Sequence, residues 1–497
     1  MNPSRPVAAG LFRTGVTIAV MFALLAGGAG YWQVVEAQRL SASPDNPVVV
    51  AAARRTLRGP IVDRNGSWLA RSLRDENGEA LREYRDASVS HVVGYASRLF
   101  GTAGLERTYN AEMLGLAGAN PVDDLMGKFD PRPSDALGLQ LALDLRLQRL
   151  AIELLGNDRG AVVLMNPVTG EVLALASTPT YDATAVADPK RARAAFAALR
   201  DDPAQPLLPR ATLGRYTPGS VLKIVTAIAA LDSGAVEPDT TFPQQPTAEK
   251  SGLLVDGFRI RDGHHAETGS TPLDLGGATE VSCNLWYALA GLETGGQALA
   301  DEARELGFGA AIPFDIPTAV SRLNDGQGDA PGGFTDDVEL ASAAFGQAGT
   351  FVTPLQMALV ASTVANDGVL MSPRLVSALT GEDGAGRTLD ASEWRRVLSA
   401  GDAQAIQAAM QQAVEGDLGR QFTRGAKVAG IPTAGKSGTA ELGGSGEPHS
   451  WFIGFAPVER PQIAIAVIVE QGGRGGERAA PLAGTLMTAF FDLYGRP

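Results

Sequence analysis

Cysteine and histidine, the residues that form disulfides and bind most transition metals, are few in this chain. Its 497 residues include a single cysteine, Cys283, so an intrachain disulfide and a thiolate zinc site are both excluded. The four histidines are scattered apart from the pair His264-His265, which we expect in a solvated loop. We therefore expect neither a metal ion nor a cofactor.

Positive charge is also scarce. The net charge is −13 with a pI near 4.9, which argues against a nucleic acid as partner. A hydrophobic content of 45% and a charged content of 20% describe a globular protein. A chain of this length has room for two or three domains.

The N-terminal segment lacks charge over a membrane-spanning length. No charged residue occurs from Thr14 to Val35, while Arg5 and Arg13 precede this stretch. About twenty apolar residues span a bilayer, and preceding basic residues favour a cytoplasmic N-terminus. We predict a cytoplasmic segment 1–13 and an anchor 14–35, followed by a polar tether at Leu40–Asn46. The small residues Ala26–Ala29 leave a cleaved signal peptide as the alternative.

Periodicity predicts an α+β fold beyond the anchor. Arg58–Ala70 has the pattern of two strands joined by an Asn-Gly turn, and Leu139–Leu155 has apolar residues at helical spacing. Two hairpins are predicted at Gly160–Ser177 and Ser450–Val469, and a closing helix at Pro481–Tyr494. Strands at both ends of one domain indicate an antiparallel sheet built from distant segments and flanked by helices.

The segment Tyr216–Gly234 contains the most distinctive pattern. It predicts a turn that leads into a buried helix, because Val221–Leu231 is apolar on every side. Ser220 and Lys223 lie three residues apart, on one face of the first turn. Burial lowers the pKa of a lysine towards neutrality, and a serine beside such a base is an activated nucleophile. The alternative is an N-capping serine with a lysine that reaches the surface.

Two further motifs follow in the chain. Ser282-Cys283-Asn284 precedes a helical stretch, and Lys436-Ser-Gly-Thr439 precedes the C-terminal hairpin. Each motif alone is unspecific. The set of Ser-x-x-Lys, Ser-x-Asn and Lys-Ser/Thr-Gly in this order is typical of serine β-lactamases and penicillin-binding proteins.

Together these motifs resemble those of a class B penicillin-binding protein, a membrane-anchored peptidoglycan D,D-transpeptidase. Arg58–Ala70 and Gly104-Leu-Glu106 are similar to segments of the family's pedestal module. Gly160–Thr178 and His449–Pro457 resemble parts of its transpeptidase domain. The resemblance implies a pedestal domain of mixed α/β structure at 36–138 and a transpeptidase domain of the penicillin-binding and serine β-lactamase type at 139–497.

The resemblance also implies catalytic roles. Ser220 would attack the penultimate D-alanine carbonyl of a stem peptide, and Lys223 would be the base for that step. Ser282 would relay the proton to the leaving amine. Asn284 would bind the substrate amide and hold Lys223. Cys283 stands where Asp or another small residue is common, and we expect a buried, reduced thiol there.

Substrate binding is implied for the third motif. Lys436, Ser437 and Thr439 would bind the terminal carboxylate of the substrate, and Gly438 would allow close approach of the substrate to the strand. The backbone N–H groups of Ser220 and Thr439 would form the oxyanion hole. β-Lactams would acylate the same serine.

The resemblance places the catalytic domain outside the bacterial plasma membrane on a single-pass anchor. No glycosyltransferase-sized segment precedes the pedestal, so the implied partner is a separate multispanning glycan polymerase of the shape, elongation, division and sporulation family. The alternatives are a D,D-carboxypeptidase, a β-lactamase or β-lactam sensor, and a scaffold that activates a partner polymerase. We expect the catalytic domain to be labelled by penicillin even without residues 54–135.

Overall fold

The computed structural model describes residues 5–32, 36, 56–76, 78–116, 136–262, 271–381, 386–419, 422–443 and 446–496. The predicted tether Leu40–Asn46, the last residues of the predicted anchor and the pair His264-His265 lie outside this set.

The N-terminal helix, α1, runs from Arg5 to Gly30. Its stretch Gly10–Gly30 has a mean hydropathy of 1.7 and none of it is buried in the protein, so it is long and apolar enough to cross a membrane. The helix begins before the predicted anchor because Arg13 does not interrupt a helix. Charge limits where a helix can lie in hydrocarbon, not where it starts.

The elements between α1 and the catalytic part are short. The predicted strand–turn–strand is confirmed, because Ile61 pairs antiparallel with Ala70 and Gly66 occupies the turn with φ of 81°. Gly104-Leu-Glu106 lies in a helix, as predicted. The elements are β1 (Ile61–Val62), β2 (Trp68–Arg74), β3 (Ala80–Tyr84), α2 (Ser90–Val93), β4 (Ala96–Ser97), β5 (Gly101–Thr102), α3 (Gly104–Thr108) and α4 (Asn110–Met113).

A buried ion cluster joins the two pedestal segments that the sequence singled out. The Glu106 carboxylate is fully buried and accepts from Arg58 Nε at 2.8 Å and from Arg82 Nε at 2.6 Å. Tyr84 donates to the same carboxylate at 3.2 Å, and Arg58 donates to the Asn110 side chain at 2.6 Å. Both segments therefore supply charges to one site, which fixes strand β3 against helix α3.

The prediction of a helix from Leu139 is wrong at its start. Residues Gly138–Leu141 form strand β6, and helix α5 covers Leu145–Leu155. Asp144 separates the two elements, because its side chain accepts the N–H of Arg146 and caps the helix. Leu139 and Leu141 are buried by a sheet and not by a helix face.

Strand β6 belongs to a sheet that spans the pedestal and the catalytic part. The six strands lie in the order β13-β12-β6-β1-β2-β3, where β12 is Val376–Thr380 and β13 is Gly386–Thr388. β1 pairs in parallel with β6, Ile61 opposite Leu139. Removing residues 54–135 would uncover this edge and its leucines. We therefore no longer expect the catalytic part to fold normally without the pedestal.

The second sheet is antiparallel and combines both ends of the catalytic region. Its order is β15-β16-β17-β7-β8, and both predicted hairpins are confirmed within it. The central pairing joins β17 to β7, with Ala466 opposite Val163. Its strands are β7 (Gly160–Met165), β8 (Val172–Thr178), β15 (Ala434–Ala440), β16 (His449–Ala456) and β17 (Ile463–Val469).

Helices cover both faces of the antiparallel sheet. Alternate residues such as Val162 and Ile465 pack with α5 and the C-terminal helix α17 (Ala479–Tyr494). The intervening residues, such as Val163, pack with the cluster that contains the helix after Ser220. Because both faces are buried, the strands are continuously apolar.

The remaining elements surround these two layers. They are α6 (Ala183–Ala187), α7 (Ala192–Asp201), α8 (Arg210–Leu213), α9 (Lys223–Asp232), α10 (Gln245–Ser251), β9 (Leu253–Val255), β10 (Phe258–Ile260), α11 (Leu275–Glu280), α12 (Asn284–Thr294), α13 (Gly296–Glu305), α14 (Asp337–Ala343), α15 (Pro354–Ala365), β11 (Val369–Met371), β14 (Glu393–Arg396) and α16 (Ala400–Glu415).

Candidate active site

The predicted nucleophile lies in a single 3₁₀ turn, Gly219–Leu222, that leads directly into α9. Every residue of α9 from Lys223 to Leu231 is buried, as its apolar sequence predicts. The Ser220 side chain is partly exposed, and no hydrogen bond among the described residues uses its hydroxyl. Its N–H is at the start of a helix, where amides have no intrahelical acceptor. The serine is therefore free to react.

Contacts from three distant parts of the chain hold this turn in place. The Trp451 indole donates to the Thr217 carbonyl at 3.0 Å. The backbones of Tyr216 and Val352 exchange two hydrogen bonds of 2.9 Å. The Tyr216 hydroxyl donates to Glu470 at 2.9 Å. These contacts fix the backbone just before Ser220, and no local sequence pattern predicted them.

Two glycines allow the turn to lie against strand β15. Gly219 has φ of 56°, and a Cβ there would lie 2.8 Å from the Thr439 carbonyl oxygen. A Cβ on Gly438 would lie 2.9 Å from the Pro218 carbonyl oxygen and 3.1 Å from Val221. We expected Gly438 to leave room for substrate. That role stays a prediction, and the structure adds that the turn containing Ser220 also lies against Gly438.

The second motif turns sharply before helix α12. Ser282 has φ of 61°, an uncommon conformation for a residue with a side chain. This turn brings three acceptors to the buried Lys223 amine, which donates to Ser282 O at 2.5 Å, Asn284 Oδ1 at 2.7 Å and Ser282 Oγ at 3.2 Å. These hydrogen bonds bring Lys223 of the first motif together with Ser282 and Asn284 of the second. Among the described contacts, the Ser220 hydroxyl has no hydrogen bond to any of them.

The third motif brings a second buried amine to the same serine. Lys436 Nζ donates to Ser282 Oγ at 2.8 Å and to the Ser437 carbonyl at 3.0 Å. Lys436 is 1% exposed and Lys223 is fully buried. The Ser282 hydroxyl therefore lies between two amines, each within hydrogen-bonding distance.

Burial lowers the pKa of both lysines. Desolvation brings the pKa of Lys223 down to about 8, against the opposing effect of Asp262. The pKa of Lys436 is lowered well below its usual range, first by desolvation and then by repulsion from Lys223. The direction for Lys223 agrees with our prediction. The lowered pKa brings loss of the Lys223 proton closer to neutral pH than in a solvated lysine.

This arrangement can move a proton. Two close amines in a dry site share their charge unequally, and the hydroxyl between them can donate to one while it accepts from the other. A proton that Lys223 accepts can therefore pass to Ser282 and Lys436 along these hydrogen bonds, without entering solvent.

The other side chains of the third motif alternate along β15, the edge strand. Lys436 donates to Ser282 from one side of the strand, and the side chains of Ser437 and Thr439 alternate with it. Ser437 is 6% exposed and Thr439 is exposed. The Thr439 hydroxyl accepts the N–H of Gly475 at 3.2 Å, which leaves its own proton free to donate.

Cys283 is a buried free cysteine, as predicted. Its sulfur accepts the N–H of Trp286 at 3.4 Å, so it caps α12. Desolvation raises the pKa of this thiol, which keeps it neutral. Among the described residues, no group of three or more histidine, cysteine or acidic side chains is placed to hold a metal ion.

Sequence reasoning missed one acidic residue at this site. The Asp262 carboxylate accepts the N–H of Asn284 in a short hydrogen bond and that of Leu285 at 3.4 Å. Asp262 follows strand β10 with no motif around it, so only the folded chain reveals its position beside the second motif.

Comparison with known proteins decides the family. Residues 160–488 match the model of the penicillin binding protein transpeptidase domain. The chain belongs to this family. Residues 58–133 also match the penicillin binding protein A dimerisation domain, which corresponds to the predicted pedestal.

Relatives resemble the chain over nearly its whole length. The peptidoglycan D,D-transpeptidase PbpA of Mycolicibacterium smegmatis is 34% identical, with 96% of this chain and 98% of PbpA aligned. The imipenem acyl-enzyme of penicillin-binding protein A from M. tuberculosis is 30% identical, with a TM-score of 0.78 over 89% of this chain and all of that one. A D,D-transpeptidase domain from Eggerthella lenta is 31% identical, with a TM-score of 0.75 over 89% of this chain and 99% of that one.

Proposed function

We propose that the chain is a penicillin-sensitive peptidoglycan D,D-transpeptidase in which Ser220 forms the acyl-enzyme. The observation that carries the assignment of residues is the pair of buried amines on either side of Ser282 Oγ, at 2.8 and 3.2 Å. One of them, Lys223, lies one turn along the chain from Ser220. Relatives named D,D-transpeptidases and neighbours that are β-lactam acyl-enzymes support the activity.

The first half-reaction needs a base at Ser220. The neutral form of the Lys223 amine takes the Ser220 proton as the oxygen attacks the penultimate D-alanine carbonyl. When the tetrahedral intermediate collapses, the peptide bond breaks and the leaving D-alanine amine takes a proton from Ser282. Lys223 then returns a proton to Ser282. The proton lost by Ser220 thus ends on the leaving amine.

The second half-reaction runs the same path in reverse. An amine of a neighbouring stem peptide attacks the acyl-enzyme carbonyl and forms the new amide. Its proton passes to the Ser220 oxygen, which leaves. Asn284 orients both the substrate amide and Lys223. The N–H groups of Ser220 and Thr439 stabilise the oxyanion, an interaction worth about 2.7–4 kcal/mol in other enzymes.

Substrate recognition is assigned to strand β15. The hydroxyls of Ser437 and Thr439 donate to the terminal carboxylate. Such hydrogen bonds to a charged acceptor are about twice as strong as neutral ones. Lys436 supplies the positive charge. An approaching carboxylate favours the protonated form of this amine.

We further propose that α1 anchors the chain in the plasma membrane with Arg5 and Arg13 on the cytoplasmic side. The catalytic part then lies outside, where it meets stem peptides. The pedestal would bind a multispanning glycan polymerase. That enzyme would make the glycan strands that this chain cross-links. N-terminal sequencing of the mature protein should find α1 retained. A mature start near Gly30 would contradict the anchor.

Labelling with a fluorescent penicillin tests the nucleophile. The wild type should be labelled covalently, and Ser220→Ala should lose labelling while its thermal unfolding is unchanged. Ser233→Ala is the matched control, because Ser233 lies at the far end of the same helix and bonds only to backbone carbonyls of that helix. Persistent labelling of folded Ser220→Ala would assign the acyl-enzyme to another residue.

A further inference from the structure

The carboxylate of Glu470 lies where a sheet strand ends beside the segment that leads to the nucleophile. Glu470 directly follows β17, and its side chain is 13% exposed. Its Oε1 atom accepts two hydrogen bonds, from Arg210 Nε at 2.7 Å and from the Tyr216 hydroxyl at 2.9 Å. Its Oε2 atom lies 3.1 Å from Arg159 Nε. One carboxylate oxygen thus joins helix α8 to Tyr216, four residues before Ser220.

Arg210 holds this carboxylate from inside the protein. Its side chain is 1% exposed, and its two terminal nitrogens donate to the carbonyls of Gln205 at 3.0 Å and Ala204 at 2.8 Å. A guanidinium is planar and its donors point in fixed directions, so three acceptors around it fix its orientation. The position of the Glu470 carboxylate is therefore set by a buried and fully bonded group.

Tyr216 connects this carboxylate to the backbone of the nucleophile turn. Its ring packs edge-on against the Trp451 indole with 6.1 Å between centroids, and that indole donates to the Thr217 carbonyl at 3.0 Å. Burial and then the charge of Glu470 raise the pKa of the Tyr216 hydroxyl, so the hydroxyl keeps its proton and donates it. Glu470 thus fixes the polar end of a ring that packs beside the residues just before Ser220.

We propose that Glu470 is a positioning residue of the transpeptidase reaction, which holds Tyr216 and with it the turn that presents Ser220 to the substrate. This inference rests on the proposed function. In the described part of the chain, the side-chain contacts of Glu470 go to two arginines and one tyrosine and do not reach the amines around Ser282. Its effect is therefore on the geometry of attack and not on proton transfer.

The test is penicillin acylation of the full chain, with the acylation rate constant and the affinity before acylation separated by varying the penicillin concentration. Tyr216→Phe removes one oxygen and leaves the ion pair at Glu470 intact. Its acylation rate constant should fall by roughly tenfold at nearly unchanged affinity, because reacting groups need near-attack geometry. Tyr181→Phe is the matched control, since the Tyr181 hydroxyl is also buried and donates to a carbonyl of the pedestal helix α2 at 3.0 Å.

Two variants of Glu470 separate its hydrogen bonds from its charge. Glu470→Gln keeps an oxygen that can accept from Arg210 and Tyr216, so its acylation rate constant should stay within about twofold of the wild type. Glu470→Ala removes the acceptor and should slow acylation at least as much as Tyr216→Phe. It should also unfold at lower denaturant concentration, because it leaves a buried guanidinium without its carboxylate.

Wild-type acylation by folded Tyr216→Phe would overturn the proposal and leave Glu470 a structural residue only. A Tyr181→Phe variant slowed as much as Tyr216→Phe would overturn it too, because the loss would then follow stability and not position. Equal losses in folded Glu470→Gln and Glu470→Ala would assign the effect to charge and would also contradict it. If the wild type itself is not acylated, the proposed function fails instead. The two failures are thus distinguishable.

Discussion

The buried centre of the pedestal and that of the active site each bring together two basic side chains, and they are built in opposite ways. In the pedestal, Arg58 and Arg82 both bond directly to the carboxylate of Glu106, at 2.8 and 2.6 Å. In the active site, Lys223 and Lys436 share a serine hydroxyl, and neither has a carboxylate in direct contact among the described residues. The first centre has a carboxylate in direct contact with both cations, and the second has none in the described part of the chain.

The difference follows from the chemistry of the two side chains. A guanidinium stays protonated in proteins, so Arg58 and Arg82 can only hold structure. A buried amine loses its proton readily, so the lysine centre can exchange protons with a substrate. The buried charges of the pedestal thus fix its geometry. The buried amines of the catalytic part can instead gain or lose a proton. Four substitutions test this contrast.

Lys223→Arg should replace the amine that can accept a proton with a guanidinium that stays protonated. Acylation by penicillin should fall by roughly 10²–10⁴-fold, the usual contribution of a general base, because a guanidinium cannot accept the Ser220 proton. Stopped-flow or gel-based acylation rates measure this. Lys427→Arg, an exposed lysine paired with Glu415, should leave the rate unchanged. A loss of less than tenfold in Lys223→Arg would assign the proton to another group.

Glu106→Ala should destabilise the fold while leaving the chemistry intact. Removing the shared carboxylate leaves two buried guanidinium groups uncompensated, which costs about 3–5 kcal/mol in the free energy of unfolding. Denaturant unfolding measures the loss. The exposed pair Arg71–Glu83 gives the control: Glu83→Ala should cost less than about 1 kcal/mol. Equal losses for the two variants would remove the distinction between the buried cluster and a surface ion pair.

Lys436→Ala should weaken acylation selectively. A charge-assisted hydrogen bond contributes about 1.5–3 kcal/mol, so β-lactams that carry the carboxylate should lose roughly 10–150-fold in kcat/KM. An ester analogue without the carboxylate should lose far less. Comparable losses for both compounds would give Lys436 a role in proton transfer alone.

Gly438→Ala should have the smallest effect. Its Cβ would lie 2.9 Å from Pro218 O and must push the nucleophile turn away from β15. A shift of this kind should slow acylation by roughly tenfold, because reacting groups need near-attack geometry. Gly446→Ala, whose Cβ would make an ordinary 3.5 Å contact, is the control. An unchanged rate would show that the turn tolerates the displacement.

The two sheets differ in how far sequence predicts them. The antiparallel sheet was predicted from two local hairpins, because neighbouring segments pair through short turns. The six-stranded sheet was not, since β1 has two residues and pairs with β6, more than seventy positions away. A strand of two residues is too short to show the alternation of apolar and polar side chains that identifies a strand in the sequence. The assignment of Leu139 to a helix was wrong for this reason.

The active site shows the same division. The three motifs named the side chains that meet at Ser282, because their residue types and order are specific. Asp262, Trp451 and Glu470 were missed as site residues, since each acts through a tertiary contact with backbone or with a distant side chain. Gly438 was identified, but its contact with Pro218 and Val221 was not predicted.

In the proposed mechanism one titratable amine, that of Lys223, controls the reactivity of Ser220. The direct measurement is the rate of penicillin acylation of the wild type from pH 6 to pH 9. Because the base must be unprotonated and burial brings the pKa of Lys223 to about 8, the rate should rise roughly tenfold per pH unit below pH 8 and level off above it. A rate that is flat across this range, with the protein folded throughout, would contradict the account.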